Sequence, residues 1–198
     1  ALGVSRTSDY CNALCTWHTT GDKVTHLFTR QAIPMTWDYI ESNVFSNSSG
    51  NFLGQLQWVV KALQRVPAIA EGKAEQISAL DREYEHFIIS ADPPYYDNIG
   101  YSDLSDFFYV WLRRSVGNIH SSTVATMLSP KAEELVANPY RHNGKQGAEK
   151  FFVDGFNSVF HSIRQDGANT EVPMTIYYAY KQQDSSKDGT SSTGWHTL

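Results

Sequence analysis

Residues 92–95 of this chain read Asp92-Pro93-Pro94-Tyr95, directly after the apolar run Phe87-Ile88-Ile89-Ser90-Ala91. The types in that tetrad suit one kind of chemistry. An exocyclic amine on a flat heteroaromatic ring is a poor nucleophile, because its lone pair is delocalised into the ring. A carboxylate at Asp92 accepting one N–H, with the Pro93 carbonyl accepting the other, would favour a pyramidal nitrogen whose lone pair points at an electrophile. That is positioning plus electrostatic stabilisation and needs no covalent intermediate. Prolines fix φ, so the carbonyls between Asp92 and Tyr95 are preorganised. Tyr95 adds a face on which a base can stack, worth about 1–3 kcal/mol. A base inside a duplex cannot reach such a pocket, so it must be flipped out or already single-stranded.

The element that must position the tetrad is the apolar run. Residues 86–91 read as a buried strand, and two prolines end it, since neither can donate to a ladder. Open α/β sheets hold their ligands outside the carboxyl ends of their strands. Around the tetrad, Tyr96, Asn98 and Tyr101 are candidate contacts to the base. Residues 172–180 form a second apolar run, and Lys181 and Gln182 follow it at the expected edge of the same sheet. Lys181 is therefore a further candidate substrate contact.

The longer block from Asp92 to Arg114, DPPYYDNIGYSDLSDFFYVWLRR, resembles a family of large bacterial and archaeal adenine-specific DNA methylases that carry a DUF1156 region. Its opening is similar to the target-amine motif of S-adenosylmethionine-dependent amino methyltransferases. Phe28–Tyr39, Ser48–Asn51 and Ile176–Gln182 fit the same family. The resemblance implies a partial Rossmann-like α/β methyltransferase fold, with residues 86–91 and 172–180 as its fourth and fifth strands. It implies S-adenosylmethionine as cofactor, DNA as partner, and methyl transfer to adenine N6. Asp92, Pro93, Pro94 and Tyr95 would be its catalytic residues. The motif alone does not separate adenine N6 from cytosine N4, or DNA from RNA. A non-catalytic DNA-contacting or assembly piece is the reading from a different class.

The chain departs from that family in one respect. No glycine-rich turn follows a first strand, and no acidic residue for the cofactor ribose is recognisable. Gly50 and Gly54, in Ser48-Ser-Gly-Asn-Phe-Leu-Gly54, precede a helix but follow no convincing strand, which fits an ordinary helix-start turn. The cofactor-binding residues are thus expected upstream, in missing parts of a larger protein. The ends fit that expectation: Ala1 opens without an initiator Met, and Ser192–Leu198 reads as a helix cap and first turn.

Composition bounds the rest. With 198 residues, 41% hydrophobic and 19% charged, the chain suits one globular domain. Residues 1–72 read as a mostly helical lead-in and 73–198 as the sheet-forming part. No apolar run of about 18 residues and no secretory signal is recognisable, so no membrane is expected and a cytoplasmic placement is. The net charge of −5 does not advertise a nucleic-acid binder. Basic residues gather locally, at Arg113, Arg114, Lys131, Arg141, Lys145 and Lys150, against Glu133, Glu134 and Glu149. That stretch is either a phosphate-facing surface or a solvated loop. Cys11, Cys15 and His18 share a face if residues 1–16 are one helix. With no second Cys pair they are read as free thiols, and no metal site or disulfide is expected.

Local patterns predict further elements. These are a short strand at 23–29, a helix from Gly54 to Val66 ended by Pro67, and a weak strand or connection at 73–80. A helix is expected at 102–117, with Ser102 as N-cap and Asp103 and Asp106 in its first turn. Phe107, Phe108, Tyr109 and Trp111 read as its core face. A long loop with a short helix at 130–136 comes next. The helix at 147–164 carries the apolar stripe Phe151, Phe152, Phe156, Val159, Phe160 and Ile163. The order from 86 to 180 is a β–α–β crossover, which predicts parallel pairing of the two apolar runs.

Overall fold

The computed structural model describes residues 1–36, 38–96, 99–166 and 171–178. These residues fall into two compact units, Ala1–Ala74 with Ser102–Ser129, and Glu75–Tyr101 with Pro130–Leu198. The described residues hold mixed α/β structure, with helices and two-stranded sheets. None of the described helices is long and apolar enough to cross a membrane.

The first unit opens with α1 (Leu2–Tyr10), shorter than the helix expected over 1–16. The chain leaves α1 at Cys11 and enters an antiparallel hairpin, β1 (Thr16–His18) and β2 (Lys23–Thr25). Cys11, Cys15 and His18 therefore lie at a helix end, just before β1 and within β1, not on one helix face. Among the described residues no group of three potential ligands is placed to hold a metal ion. Cys15 is buried and Cys11 half-buried, and both thiols are free.

Helix α2 (Phe52–Arg65) starts where Asn51 caps it, the side-chain oxygen accepting the Gly54 N–H at 2.8 Å. Val66 is extended, as a residue before proline prefers, and the helix stops there. The buried position on α2 is Gln55, which takes a hydrogen bond from the Arg6 guanidinium of α1. Leu56 and Val59 of its apolar stripe are half-buried, whereas Val60 and Leu63 are exposed.

Helix α3 (Tyr101–Val116) belongs to this unit from Ser102 onward. Ser102 is a buried residue inside the helix rather than its N-cap. Phe28 packs on Phe107 and Phe108, with ring centroids 5.7 and 5.4 Å apart. Tyr109 is buried and bonds the Thr126 backbone carbonyl, while Trp111 faces solvent. Asp103 lies in the first turn as expected, whereas Asp106 lies beyond it, because the helix already starts at Tyr101, and accepts from the Ser129 N–H at 2.8 Å, tying down the following segment.

The second unit is organised around α4 (Lys145–Gln165). Asn143 at φ 57° and Gly144 at φ 89° make the sharp entry into it. Ala148, Phe152 and Phe156 form its buried stripe, with Phe152 fully inaccessible. Tyr96, Leu135 and Phe160 pack around them.

Two short strands, β3 (Ser90–Ala91) and β4 (Thr175–Ile176), pair in parallel, Ser90 opposite Thr175 and Ala91 opposite Ile176. The Thr175 N–H donates to Ile89 O at 3.0 Å, and the Tyr177 N–H to Ala91 O at 2.8 Å. The expected adjacency and direction are therefore present, but the strand is shorter and less buried than its apolar run suggests. Phe87 and Ile88 are 50% and 66% exposed. The cause is local: His86 sits at φ 65°, and the Phe87 N–H donates to Tyr84 O, so this stretch turns where it was expected to extend. With one strand neighbour among the described residues, β3 also lacks the flanking strands and layers that bury a central strand. Residues 73–80 and 130–136 form neither strand nor helix.

Candidate functional site

At the carboxyl end of β3 the backbone leaves the ladder at Asp92, where Pro93 and Pro94 remove two consecutive donors. The bend turns Asp92, Pro93, Pro94 and Tyr95 along one wall of a cleft of about 330 Å³. Ile99, Tyr101 and Glu134 complete it. The volume falls at the small end of the range for ligand pockets. Asp92 is exposed, so its carboxylate is available to a donor, while the prolines and Tyr95 are half-buried.

Tyr95 is held by other rings. It meets Tyr101 edge-on at 6.3 Å between centroids and Tyr178 edge-on at 5.4 Å. T-shaped contacts of this kind suit the aromatic quadrupole and orient a ring beyond what its burial supplies. Tyr178 follows β4 and also accepts the Tyr96 N–H at 3.0 Å. The loop after β3 is thus fixed by the residue that continues from β4.

Tyr96 points elsewhere. Its ring packs edge-on against Phe152 at 5.0 Å, in the core, and it is not among the cleft residues. Its carbonyl accepts the Ala137 N–H at 2.6 Å. Tyr101 does line the cleft. Burial raises the pKa of its hydroxyl, helped by nearby Tyr95, Asp92 and Glu134 and opposed by a hydrogen bond from the Tyr95 backbone. It therefore stays protonated and able to donate. Asn98 and Lys181 lie outside the described residues.

Ile99 and Glu134 are the cleft residues that the sequence did not single out, and Glu134 is the charged one. It sits in the polar stretch between α3 and α4, where it read as one charge among several. The stretch is anchored by Leu135, Val136 and Ala137: the latter two are buried and Leu135 packs on the core. Gly155 of α4 makes room, since a Cβ there would overlap the Leu135 side chain. The apolar triplet inside a polar loop was the available signal. Arg141 donates to Glu134 at 2.8 Å, and both side chains are largely buried, which draws one cation of the basic stretch inward. Lys150 pairs with Asp154 on the exposed face of α4.

On its other side, the same strand end borders an apolar groove of about 400 Å³ lined by residues such as Phe87, Ile89, Phe156, Val159 and Met174. Asp92, Pro93 and Pro94 line both spaces, and Tyr95 lines only the smaller one. In the first unit, the Ser48–Asn51 turn serves as the start of α2. Gly50, at φ 86°, has open space around it.

Comparison with protein-family models, with curated proteins and with solved structures finds no match to this chain.

Proposed function

We propose that this chain carries the target-amine half of an S-adenosylmethionine-dependent methyltransferase site, acting on adenine N6 in DNA. The observation that carries this reading is the cleft at the end of β3, where the Asp92 carboxylate, the two prolines and the oriented ring of Tyr95 line one small space. In this reading the paired strands and α4 belong to a Rossmann-like sheet, whose ligands gather at such strand ends. A base enters the cleft extruded and stacks on Tyr95. Its amine donates to Asp92 and to the Pro93 carbonyl, which localises the nitrogen lone pair toward the methyl group. The cofactor supplies that electrophilic methyl. The part of the chain described here does the orienting and the acceptance of hydrogen bonds.

Cytosine N4 or an RNA base presents the same amine to the same acceptors. The absence of a recognisable glycine-rich turn from the sequence favours keeping a second reading, a module that contacts nucleic acid without transferring a methyl group. The isolated chain, lacking a recognisable cofactor half, is expected not to transfer methyl by itself. Two measurements on the full-length protein that this reading implies separate the two. Transfer of labelled methyl from S-adenosylmethionine to mixed-sequence DNA, lost in Asp92→Ala, supports the enzyme. Binding of single-stranded oligodeoxyadenosine that depends on Asp92 and Tyr95, without transfer, supports the module. Neither transfer nor such binding would remove the target-amine reading.

A further inference from the structure

Tyr101 brings a hydrogen-bond donor to a cleft otherwise rich in acceptors. Its oxygen takes a bond from the Tyr95 backbone, and among the described residues no acceptor takes up its own O–H. Burial keeps that proton in place at neutral pH. The planes of the Tyr95 and Tyr101 rings stand 74° apart, with centroids at 6.3 Å. A base stacked flat on Tyr95 is parallel to that ring and meets Tyr101 at the same steep angle. Tyr101 is therefore no second plate of a sandwich, and what it offers the base is polar.

We propose that the Tyr101 hydroxyl donates to the unprotonated ring nitrogen beside the target amine, N1 of adenine or N3 of cytosine, and so orients the flipped base within its own plane. The inference rests on the target-amine reading above and deepens it. In that reading both amine N–H groups are taken, one by Asp92 and one by the Pro93 carbonyl, so the amine needs no further acceptor. Stacking on Tyr95 fixes the plane of the base, and the two acceptors fix its amine. The base can still pivot about that amine. A donor to the adjacent ring nitrogen supplies a second point on the same edge and stops the pivot, which is the alignment that catalysis by positioning requires. Asp92 and the Tyr101 hydroxyl share this small space closely enough for the carboxylate charge to help hold the phenol proton. Acceptor and donor thus lie together, matching an edge on which an amine stands next to a bare ring nitrogen.

The test uses end-labelled, single-stranded oligomers of deoxyadenosine, 1-deazadeoxyadenosine and 7-deazadeoxyadenosine, with binding followed by fluorescence anisotropy. The 1-deaza base keeps the amine and the ring and lacks the N1 acceptor; the 7-deaza base keeps N1. Wild type should bind the 1-deaza oligomer about fivefold more weakly than deoxyadenosine, because the Tyr101 O–H is left without its partner. The 7-deaza oligomer should bind within about twofold of deoxyadenosine, since stacking tolerates ring changes. Tyr101→Phe keeps the ring, loses the donor and should bind all three alike. That comparison is a ratio within one variant, so a lower folded fraction cancels from it. A 1-deaza penalty that survives in Tyr101→Phe would overturn the proposal. So would an equal loss of affinity for all three oligomers with the wild-type ratios kept, which would mean that Tyr101 only props the loop through the Tyr95 backbone. A 7-deaza penalty as large as the 1-deaza one would trace the effect to stacking and be equally fatal. No 1-deaza penalty in wild type, with Asp92→Ala still abolishing binding, would sink the proposal and leave the parent reading intact; this arm decides even if Tyr101→Phe loses its cooperative thermal transition. Absence of wild-type binding to all three oligomers would remove both.

Discussion

The rings of Tyr95 and Tyr178 meet edge-on, 5.4 Å between centroids and 76° between planes. One follows β3 and the other follows β4, so a parallel pair of strands delivers both to the same sheet edge. The Tyr178 hydroxyl also takes the Tyr96 N–H, which makes it the fastener of the Asp92–Tyr95 loop.

That relationship makes Tyr95 substitutions separable. Tyr95→Phe keeps the ring and should retain base binding within about twofold, since stacking uses the face and not the hydroxyl. Tyr95→Ala should weaken oligodeoxyadenosine binding by about 1–3 kcal/mol. Tyr95→Asp should be worse than Ala, because it sets a second charge beside Asp92. Anisotropy titrations of the three variants check the order.

Asp92 is exposed at a strand end, so it can be removed without emptying the core. Asp92→Ala should shift thermal stability by no more than about 0.5 kcal/mol while abolishing any methyl transfer or base binding of wild type. Calorimetry alongside the activity assay decides this, and a variant that retains transfer within tenfold of wild type contradicts the assigned role.

Phe152 is fully buried under Tyr96 and Phe156. Phe152→Ala should cost about 3–5 kcal/mol of stability. Because Tyr96 leads directly back into the tetrad, base binding should weaken even where the variant stays folded. Denaturant unfolding measures the first effect.

The raised pKa of Tyr101 sets a sign for alkaline behaviour. Its proton is held more tightly in the folded chain than in the unfolded one, so its contribution to stability is complete below the unfolded value near 10.0. It is then lost as pH rises through the higher folded value. Tyr101→Phe should remove that part of the alkaline loss, visible as a flatter dependence of unfolding free energy on pH above about 10.

Cys15 and Cys11 should differ in reactivity. Burial, aided by the nearby Asp38 charge, pushes the Cys15 thiol up, and its Sγ lies 3.6 Å from the Asp38 carbonyl. A thiol-alkylating reagent at neutral pH should therefore modify half-buried Cys11 well before Cys15, as mass spectrometry of a time course would show. Equal rates would mean that the first unit opens readily.

Much of this was local enough to be legible in the sequence. The double proline dictates that the strand stops at Asp92, whatever surrounds it, because the missing donors belong to the residues themselves. The apolar spacing of α4 marks Phe152 and Phe156 as inward, since helix geometry alone sets that period. Parallel pairing of the two apolar runs follows from the long connection between them. Three other features are tertiary. The run at 86–91 pairs over only two residues because His86 turns the chain and flanking strands are lacking among the described residues. Tyr95 and Tyr96 are identical neighbours, yet one lines the cleft and the other fills the core, and only the position of Phe152 separates them. Glu134 reaches the cleft from more than forty residues beyond Asp92, because Leu135 and Ala137 pack with the buried stripe of α4 and carry the carboxylate with them. A sequence pattern records what a residue and its near neighbours require; which distant side chain shares its cleft depends on packing that no local spacing encodes.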